Sequence, residues 1–174
     1  MNNKKWLITV FILSFTLSAI FGAISYILAN NLSTFFIIPI ILVVISIGII
    51  FDMVGVAVLT SKEANLHAKA AKKASGAREG ISLIKNSTKV SSVCNDVIGD
   101  ICGIVSGSLG AVLTLAIANK FKLSSTLTTI LVTAVISSLT VGFKAVFKVV
   151  ATKKADDIVL LAGKIKKIFT FYKD

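Results

Sequence analysis

Three carboxylates and an amide lie within two long apolar stretches of this sequence. Asp52 is the only charged residue of residues 35–60, and Asn95, Asp96 and Asp100 lie near the start of the next long apolar stretch. A carboxylate inside a membrane span costs about 2.5–3.5 kcal/mol on insertion scales, so such residues usually mark an ion or proton site. Hard divalent cations prefer oxygen ligands, and Mg²⁺ commonly combines one or two carboxylates with retained waters. These residue types predict a divalent cation site, with Mg²⁺ as its candidate cofactor; the alternatives are that the carboxylates are protonated or exposed to water, or that they cap helix ends.

The stretches that carry these residues are long enough to cross a membrane. The chain has 174 residues, 55% of them hydrophobic, and a mean hydropathy of +0.91. Several uninterrupted apolar runs at this composition indicate an integral membrane protein. We predict an all-α integral membrane protein with four transmembrane helices, a single membrane domain over residues 1–174, with spans at about 6–29, 35–60, 92–118 and 123–146.

The segments outside the spans are basic and amphipathic. Residues 61–89 are rich in Ala and Lys, and glycines at 76 and 80 interrupt them, which predicts a juxtamembrane helical hairpin. Residues 152–172 place apolar side chains at spacings of three or four, which predicts an amphipathic helix along the membrane interface. The lysines expected to bind lipid headgroups are Lys72, Lys73, Lys164, Lys166 and Lys167.

The distribution of positive charge predicts orientation and partners. The net charge is +11, and the basic residues flank apolar spans, which favours a lipid bilayer with anionic lipids over nucleic acid as the partner. The N-terminus, residues 61–89 and the C-terminal tail hold 2, 7 and 8 Lys or Arg, while the two opposite loops hold 0 and 2. We therefore expect both termini and the hairpin in the cytoplasm, and a bacterial plasma membrane as the location.

The predicted orientation brings the polar residues to a similar depth. Asp52 lies eight residues before Thr60 and Asp100 lies eight residues after Ser92, so both are expected about 12 Å from the cytoplasmic ends of their spans. Asp96 and Asp100 share one face of an α-helix by their i,i+4 spacing. No Lys or Arg is expected within the hydrophobic part to neutralise them. The candidate metal ligands are Asp52, Asp96, Asp100, Asn95, Ser46 and Ser92.

A row of glycines predicts close helix packing in the third span. Gly99, Gly103 and Gly107 recur every four residues and form one smooth stripe on a helix. Such a stripe lets another transmembrane helix approach closely, and we expect it to form the contact of a homodimer.

The order of several segments is similar to that of a known family. An apolar run ending at Ser46 precedes Phe51-Asp52, a basic stretch follows at Ala64–Lys85, and Ile98-Gly99-Asp100 opens the next span. This order resembles the transmembrane domain of the CorC/CorB/CNNM magnesium and cobalt transporters. That family has a Phe-Ser-Gly-Ser-Glu-Thr stretch at the first place and an Ile-Gly-Asn motif at the last.

The resemblance implies a dimer that holds a dehydrated Mg²⁺ near the cytoplasmic side. By position it implicates Asp52 at the first family serine, Ser46 more loosely, and Asp100 at the family asparagine. Asn95 and Asp96 have no clear counterpart in the family.

The sequence departs from the family pattern at three places. Gly55 stands where the family has Glu, and residues 140–144 read Thr-Val-Gly-Phe-Lys where the family has Glu-Val-Leu-Pro-Lys. No nucleotide-binding CBS pair lies within the 174 residues. A separate regulatory subunit is therefore a further candidate partner.

Two function classes remain open from the sequence. The first is binding or transport of a divalent cation, Mg²⁺ and by family resemblance Co²⁺. The second is a small structural or interaction protein, holin-like or an accessory subunit, with no transport of its own. The chain is not expected to be an enzyme, because no nucleophile with its base, phosphate-binding loop or His/Cys metal cluster is visible.

Overall fold

The computed structural model describes the backbone of residues 3–31 and 34–171 and the side chains of residues 7–27 and 35–168. Within these ranges the chain is almost wholly helical and contains no strand. The helices are α1 (Asn3–Asn31), α2 (Thr34–Thr60), α3 (Glu63–Ala71), α4 (Ala77–Lys85), α5 (Ser87–Ser91), α6 (Gly99–Phe121), α7 (Ser125–Lys153) and α8 (Ala155–Phe171), with a π-helical stretch at Ser92–Ile98 before α6.

Four helical segments are long and apolar enough to cross a membrane: Leu7–Ile27, Phe35–Thr60, Ser87–Phe121 and Ser125–Lys153. The prediction of an all-α membrane protein with four spans, a helical hairpin and a C-terminal amphipathic helix is confirmed. Many large apolar side chains on these segments are exposed, among them Phe11 and Leu131. A lipid environment would cover such surface at no hydrophobic cost.

The chain divides into two compact units, each with its own core. In the first, made of residues up to 49 and 97–143, α1 packs against α6. Four isoleucines of α2 recur every fourth residue, so they form one face of that helix, which packs against α6. The buried core of this unit is Ile37, Ile41, Ile45, Ile49, Leu109 and Leu113.

Two glycines of the first unit make room for side chains of neighbouring helices. A Cβ atom on Gly48 would lie 2.9 Å from Cys102 Cβ, and one on Gly110 would lie 2.6 Å from Ile136 Cδ1. An added Cβ at Gly48 would meet the rigid Cβ of Cys102, so glycine is required for the approach of α2 to α6 there, whereas at Gly110 the flexible end of Ile136 would have to move.

The second unit contains residues 50–96 and 144–171. Here α3 and α4 form the hairpin, and α8 lies against both. Its buried core takes small and branched side chains from α2, α3, α7 and α8: Ala57, Val58, Leu66, Ala151, Ala155, Ile158 and Val159. Ile81 and Ile84 of α4 pack against this core.

Glycines bring α4 and α8 into backbone contact. Gly76 has φ +82°, a left-handed conformation that favours glycine, and it precedes α4. A Cβ atom on Gly163 would overlap the carbonyl oxygen of Gly76 and lie 2.8 Å from the amide nitrogen of Gly80. Side chains at these positions would force the two helices apart.

The third predicted span is not a continuous α-helix. The π-helical stretch Ser92–Ile98 replaces its first turns, with hydrogen bonds to the fifth rather than the fourth residue. The expectation that Asp96 and Asp100 share one helix face by their i,i+4 spacing stays a prediction. Short π-helical segments are frequent at functional sites.

Candidate functional site

Asp52 is a buried carboxylate with one charged neighbour. It lies on α2 and is 4% exposed. Lys148 of α7 places its Nζ 3.5 Å from Asp52 Oδ2, without hydrogen-bond geometry. The expectation that no Lys or Arg neutralises these carboxylates is wrong for Asp52, because the Lys148 ammonium lies within ion-pair distance of it. The Lys148 side chain is itself 52% exposed.

Asn95 lies against the next turn of α2. A Cβ atom on Gly55 would lie 2.7 Å from Asn95 Cγ, so the glycine makes the space that the amide occupies. Asn95 Nδ2 donates a hydrogen bond to Ser91 Oγ at 3.2 Å. Asp52 and Gly55 are three residues apart on one helix and so lie on the same side of it. Asn95 therefore contacts α2 about one turn after Asp52, on the side of that helix that carries Asp52.

Two oxygens of this group lack a hydrogen bond. Among the described residues, Asp52 Oδ2 and Asn95 Oδ1 are buried without a hydrogen-bond partner. A buried oxygen left unsatisfied costs about 1–3 kcal/mol, and more when it is charged. Carboxylate and amide oxygens are also ligands that hard cations accept. We name this group, formed by Asp52, Gly55, Asn95 and Lys148 in the second unit, the α2 polar cluster.

The other four predicted ligands are divided between the two units, with Ser92 and Asp96 in the second. Ser92 opens the π stretch and is half-buried, and Asp96 is exposed, with no hydrogen bond or ion pair to the described residues. Ser46 and Asp100 belong to the first unit: Ser46 Oγ donates to the Leu42 carbonyl at 2.8 Å, and Asp100 is exposed in the first turn of α6. No group of three or more His, Cys, Asp or Glu side chains gathers as a metal site in the part of the chain described.

The glycines of the predicted stripe differ in exposure. Gly99 is buried, and its carbonyl oxygen lies near Gly48. Gly103 and Gly107 are exposed, and a Cβ atom on either would meet no described atom within 4 Å. In the first unit, added Cβ atoms would meet neighbouring helices at Gly48 and Gly110 instead. The role of the stripe in a homodimer stays a prediction.

A second polar group joins α8 to the end of α2 and to α3. Asp156 accepts hydrogen bonds from Ser61 Oγ and Asn65 Nδ2, each at 2.6 Å, and Lys69 Nζ donates to Asp157 Oδ1 at 2.6 Å. Burial alone would raise the pKa of Asp156, but these hydrogen bonds, one from the Lys62 amide and the charge of Lys69 hold the pKa below its ordinary value. The group lies beside a polar cavity of about 290 Å³.

Sequence reasoning missed the partners of this group. Asp156 and Asp157 are acidic residues in the first turn of α8, and the helix macrodipole alone accounts for such residues. Their partners lie roughly ninety residues earlier in the chain. No local signal indicates that pairing.

The predicted lipid-binding lysines lie around the α3–α4 turn and on α8. Lys166 Nζ donates to Ser82 Oγ of α4 at 2.9 Å, and Lys72 is exposed. Lys73 has φ +56°, and it lines a cavity with Lys167. Lys164 lines an adjoining cavity.

The chain was compared with protein-family models, with curated proteins and with solved structures, and no match was found in any of the three. The resemblance to the CorC/CorB/CNNM family therefore stays a prediction. The function is argued from the residues of this chain.

Proposed function

We propose that this protein binds a divalent cation, with Mg²⁺ as the first candidate, and carries it across the membrane. The single observation that supports this most is the pair of buried oxygens without hydrogen bonds, Asp52 Oδ2 and Asn95 Oδ1. A cation between them would satisfy both at once, which the described protein groups do not. Retained waters would complete the ligand sphere, as is common for Mg²⁺.

Lys148 gives the proposed site a counter-charge when no ion is bound. Its ammonium group is 3.5 Å from Asp52 Oδ2, and its side chain is about half exposed. An exposed lysine can swing away, because its four-carbon stem is flexible. Entry of a cation would release this ammonium group, so the carboxylate would have a positive partner in both states.

The remaining expectations belong to the same proposal. The protein would act as a homodimer through Gly103 and Gly107, in a bacterial plasma membrane with both termini in the cytoplasm. Asp96 and Asp100, which the chain leaves exposed, would be available to the partner copy or to the ion path. A separate subunit would supply regulation.

One observation favours a second candidate, a structural membrane protein without transport. The Asp52–Lys148 pair neutralises the buried carboxylate without any ion. Under this alternative, the α2 polar cluster is a helix-packing contact that fixes α2 against α7.

A thermal-shift and flux experiment separates the two. We expect Mg²⁺ to raise the Tm of the purified protein in neutral detergent, and Asp52→Asn to abolish that rise because the charged ligand is lost. Asp157→Asn is the matched control, since it removes one exposed carboxylate paired with Lys69 and should keep the Mg²⁺ response. Flux is then measured in vesicles that contain a Mg²⁺-sensitive dye.

The outcomes are distinct. A Mg²⁺-dependent Tm that needs Asp52, with flux above empty vesicles, supports the proposal. If Asp52→Asn and the wild type respond equally to Mg²⁺ and neither passes ions, the structural alternative stands.

A further inference from the structure

A basic cleft opens beside the α3–α4 turn. It has a volume of about 260 Å³, and Lys73, Arg78 and Lys167 contribute its positive charge. A second cavity of about 480 Å³ adjoins it, because both are lined by Ser75 and Lys167. The turn and the start of α4 form one wall, and the last turns of α8 form the other.

The cations of this cleft have no partner among the described side chains. Within the part of the chain that the structure describes, Lys73, Arg78, Lys164 and Lys167 make no side-chain hydrogen bond or ion pair. Among the described residues, Glu79 is the one carboxylate that lines the cleft. Uncompensated positive charge around a concave surface attracts an anion, and the planar guanidinium of arginine suits the oxygens of phosphate.

An apolar surface begins at the edge of the cleft. Ile168 lines the second cavity together with Lys164 and Lys167. Leu161, Ile165 and Ile168 recur along one side of α8 and are 57%, 57% and 69% exposed. The opposite side of α8 is buried through Val159 and Gly163, so these three side chains are not needed for the core.

We propose that this cleft binds the phosphate of an anionic phospholipid, with the acyl chains along Leu161, Ile165 and Ile168. The pairing of an anion-binding cleft with an exposed apolar stripe fits an amphiphile, which a free phosphate ion is not. The chain also carries four segments able to cross a membrane, so a bilayer is the expected source of such a ligand. This site is independent of the proposed cation site.

The backbone holds the cleft open before any ligand arrives. Lys73 and Gly76 have positive φ values of 56° and 82°, which define the turn. Gly163 brings α8 into backbone contact with Gly76. A cleft that is already formed loses little conformational entropy on binding.

A lipid titration of the full chain in neutral detergent tests the proposal. Phosphatidylglycerol is expected to stabilise the protein and to be retained through gel filtration, whereas phosphatidylcholine and glycerol phosphate are not. Arg78→Gln with Lys167→Gln should weaken the apparent affinity about 30-fold, since each basic residue near an anionic lipid contributes about fivefold. Lys153→Gln with Lys154→Gln removes two positive charges from the same unit, outside the cleft, and is the matched control.

A second variant tests the site by gain of binding. Glu79→Gln removes the repelling carboxylate and should tighten phosphatidylglycerol binding about fivefold. The same Tm as the wild type in neutral detergent would show that the variants fold. If both double variants lose equal affinity, or if glycerol phosphate stabilises the protein as well as the lipid does, the proposed lipid site is overturned.

Discussion

Asp52 is a buried carboxylate that Lys148 neutralises and that the proposed Mg²⁺ would also neutralise. Removing a charge from water costs several kcal/mol, and attraction to a partner offsets this only when the geometry is good. The Lys148 ammonium lies 3.5 Å from Asp52 Oδ2 and forms no hydrogen bond with it, while its side chain stays half exposed. The pair is therefore open to competition by a smaller, more highly charged ion.

Removing the lysine should make the protein depend more on the ion. We expect Lys148→Met to lower the free energy of unfolding by about 1–3 kcal/mol in the presence of a chelator, because the buried carboxylate loses its partner. We also expect Mg²⁺ to raise the Tm of this variant more than that of the wild type. Thermal unfolding with and without Mg²⁺ measures both effects.

Lys144→Met is the matched control on the same helix. Lys144 makes no hydrogen bond or ion pair with the described residues, so its removal should leave the Mg²⁺ response unchanged. A smaller Mg²⁺ response in Lys148→Met than in the wild type would contradict competition for Asp52.

At the scale of the helices, α8 is held by polar contacts at its start and by glycines further along. Ser61 and Asn65 donate to Asp156 across a long sequence separation. Gly163 meets the backbone of α4. Each contact joins elements that local helix propensity would leave separate.

The Asp156 contacts should make stability depend on pH. Because the folded protein lowers the pKa of Asp156, the ionised group stabilises the fold above its unfolded pKa of about 3.9 and loses that contribution as pH falls through the lower folded value. We expect the Tm in detergent to fall below about pH 4, and Asp156→Asn to fall less steeply. Unfolding curves at stepwise lower pH measure the difference. An equally steep loss in Asp156→Asn would contradict this assignment.

The glycine contact between α4 and α8 should not tolerate a methyl group. We expect Gly163→Ala to destabilise the protein by about 1–3 kcal/mol, although Ala is the better helix former, because the added Cβ overlaps the Gly76 carbonyl oxygen. Gly142→Ala is the control, since a Cβ there meets no atom within 4 Å and should be neutral or stabilising. Equal Tm changes in the two variants would show that α8 adjusts freely.

At the scale of the whole molecule, the exposed surface is largely apolar along the four long helices. Phe11, Phe35 and Leu131 are 75%, 80% and 67% exposed, and each lies on a segment able to span a membrane. Lipid can cover most such surface, but contact with lipid gives no advantage to glycine over leucine on a helix face. Close packing against another helix does give glycine an advantage, because small residues let the two backbones approach.

A bulky side chain on the exposed glycine face should therefore disrupt the predicted homodimer. We expect Gly107→Leu to shift the protein from dimer to monomer in mild detergent, measured as molar mass by light scattering after gel filtration. Gly22→Leu is the control. A Cβ at Gly22 also meets open space, but Gly22 lies on α1, outside the glycine stripe. A wild-type protein that is monomeric at every concentration would contradict the prediction.

Much of the architecture could be predicted because it depends on local patterns. The length of each apolar run is set by the thickness of a bilayer, so four spans could be recognised from composition alone. The α8 helix could be recognised because the period of apolar residues in a helix is a local pattern. The hairpin could be recognised because two glycines interrupt a basic, alanine-rich stretch. The π stretch at Ser92–Ile98 could not, since its sequence is compatible with an ordinary helix.

The candidate site could be predicted only in part. Asp52 and Asn95 stood out because polar groups in apolar runs are costly, and both prove to carry an unsatisfied buried oxygen. The sequence by itself determined the helices, the spans and these unusual residue types. Only the tertiary structure placed Lys148 beside Asp52 and Asn95 against Gly55, and joined Asp156 to Ser61. Those contacts link residues far apart in the chain, and their geometry follows from how whole helices pack, which no local pattern encodes.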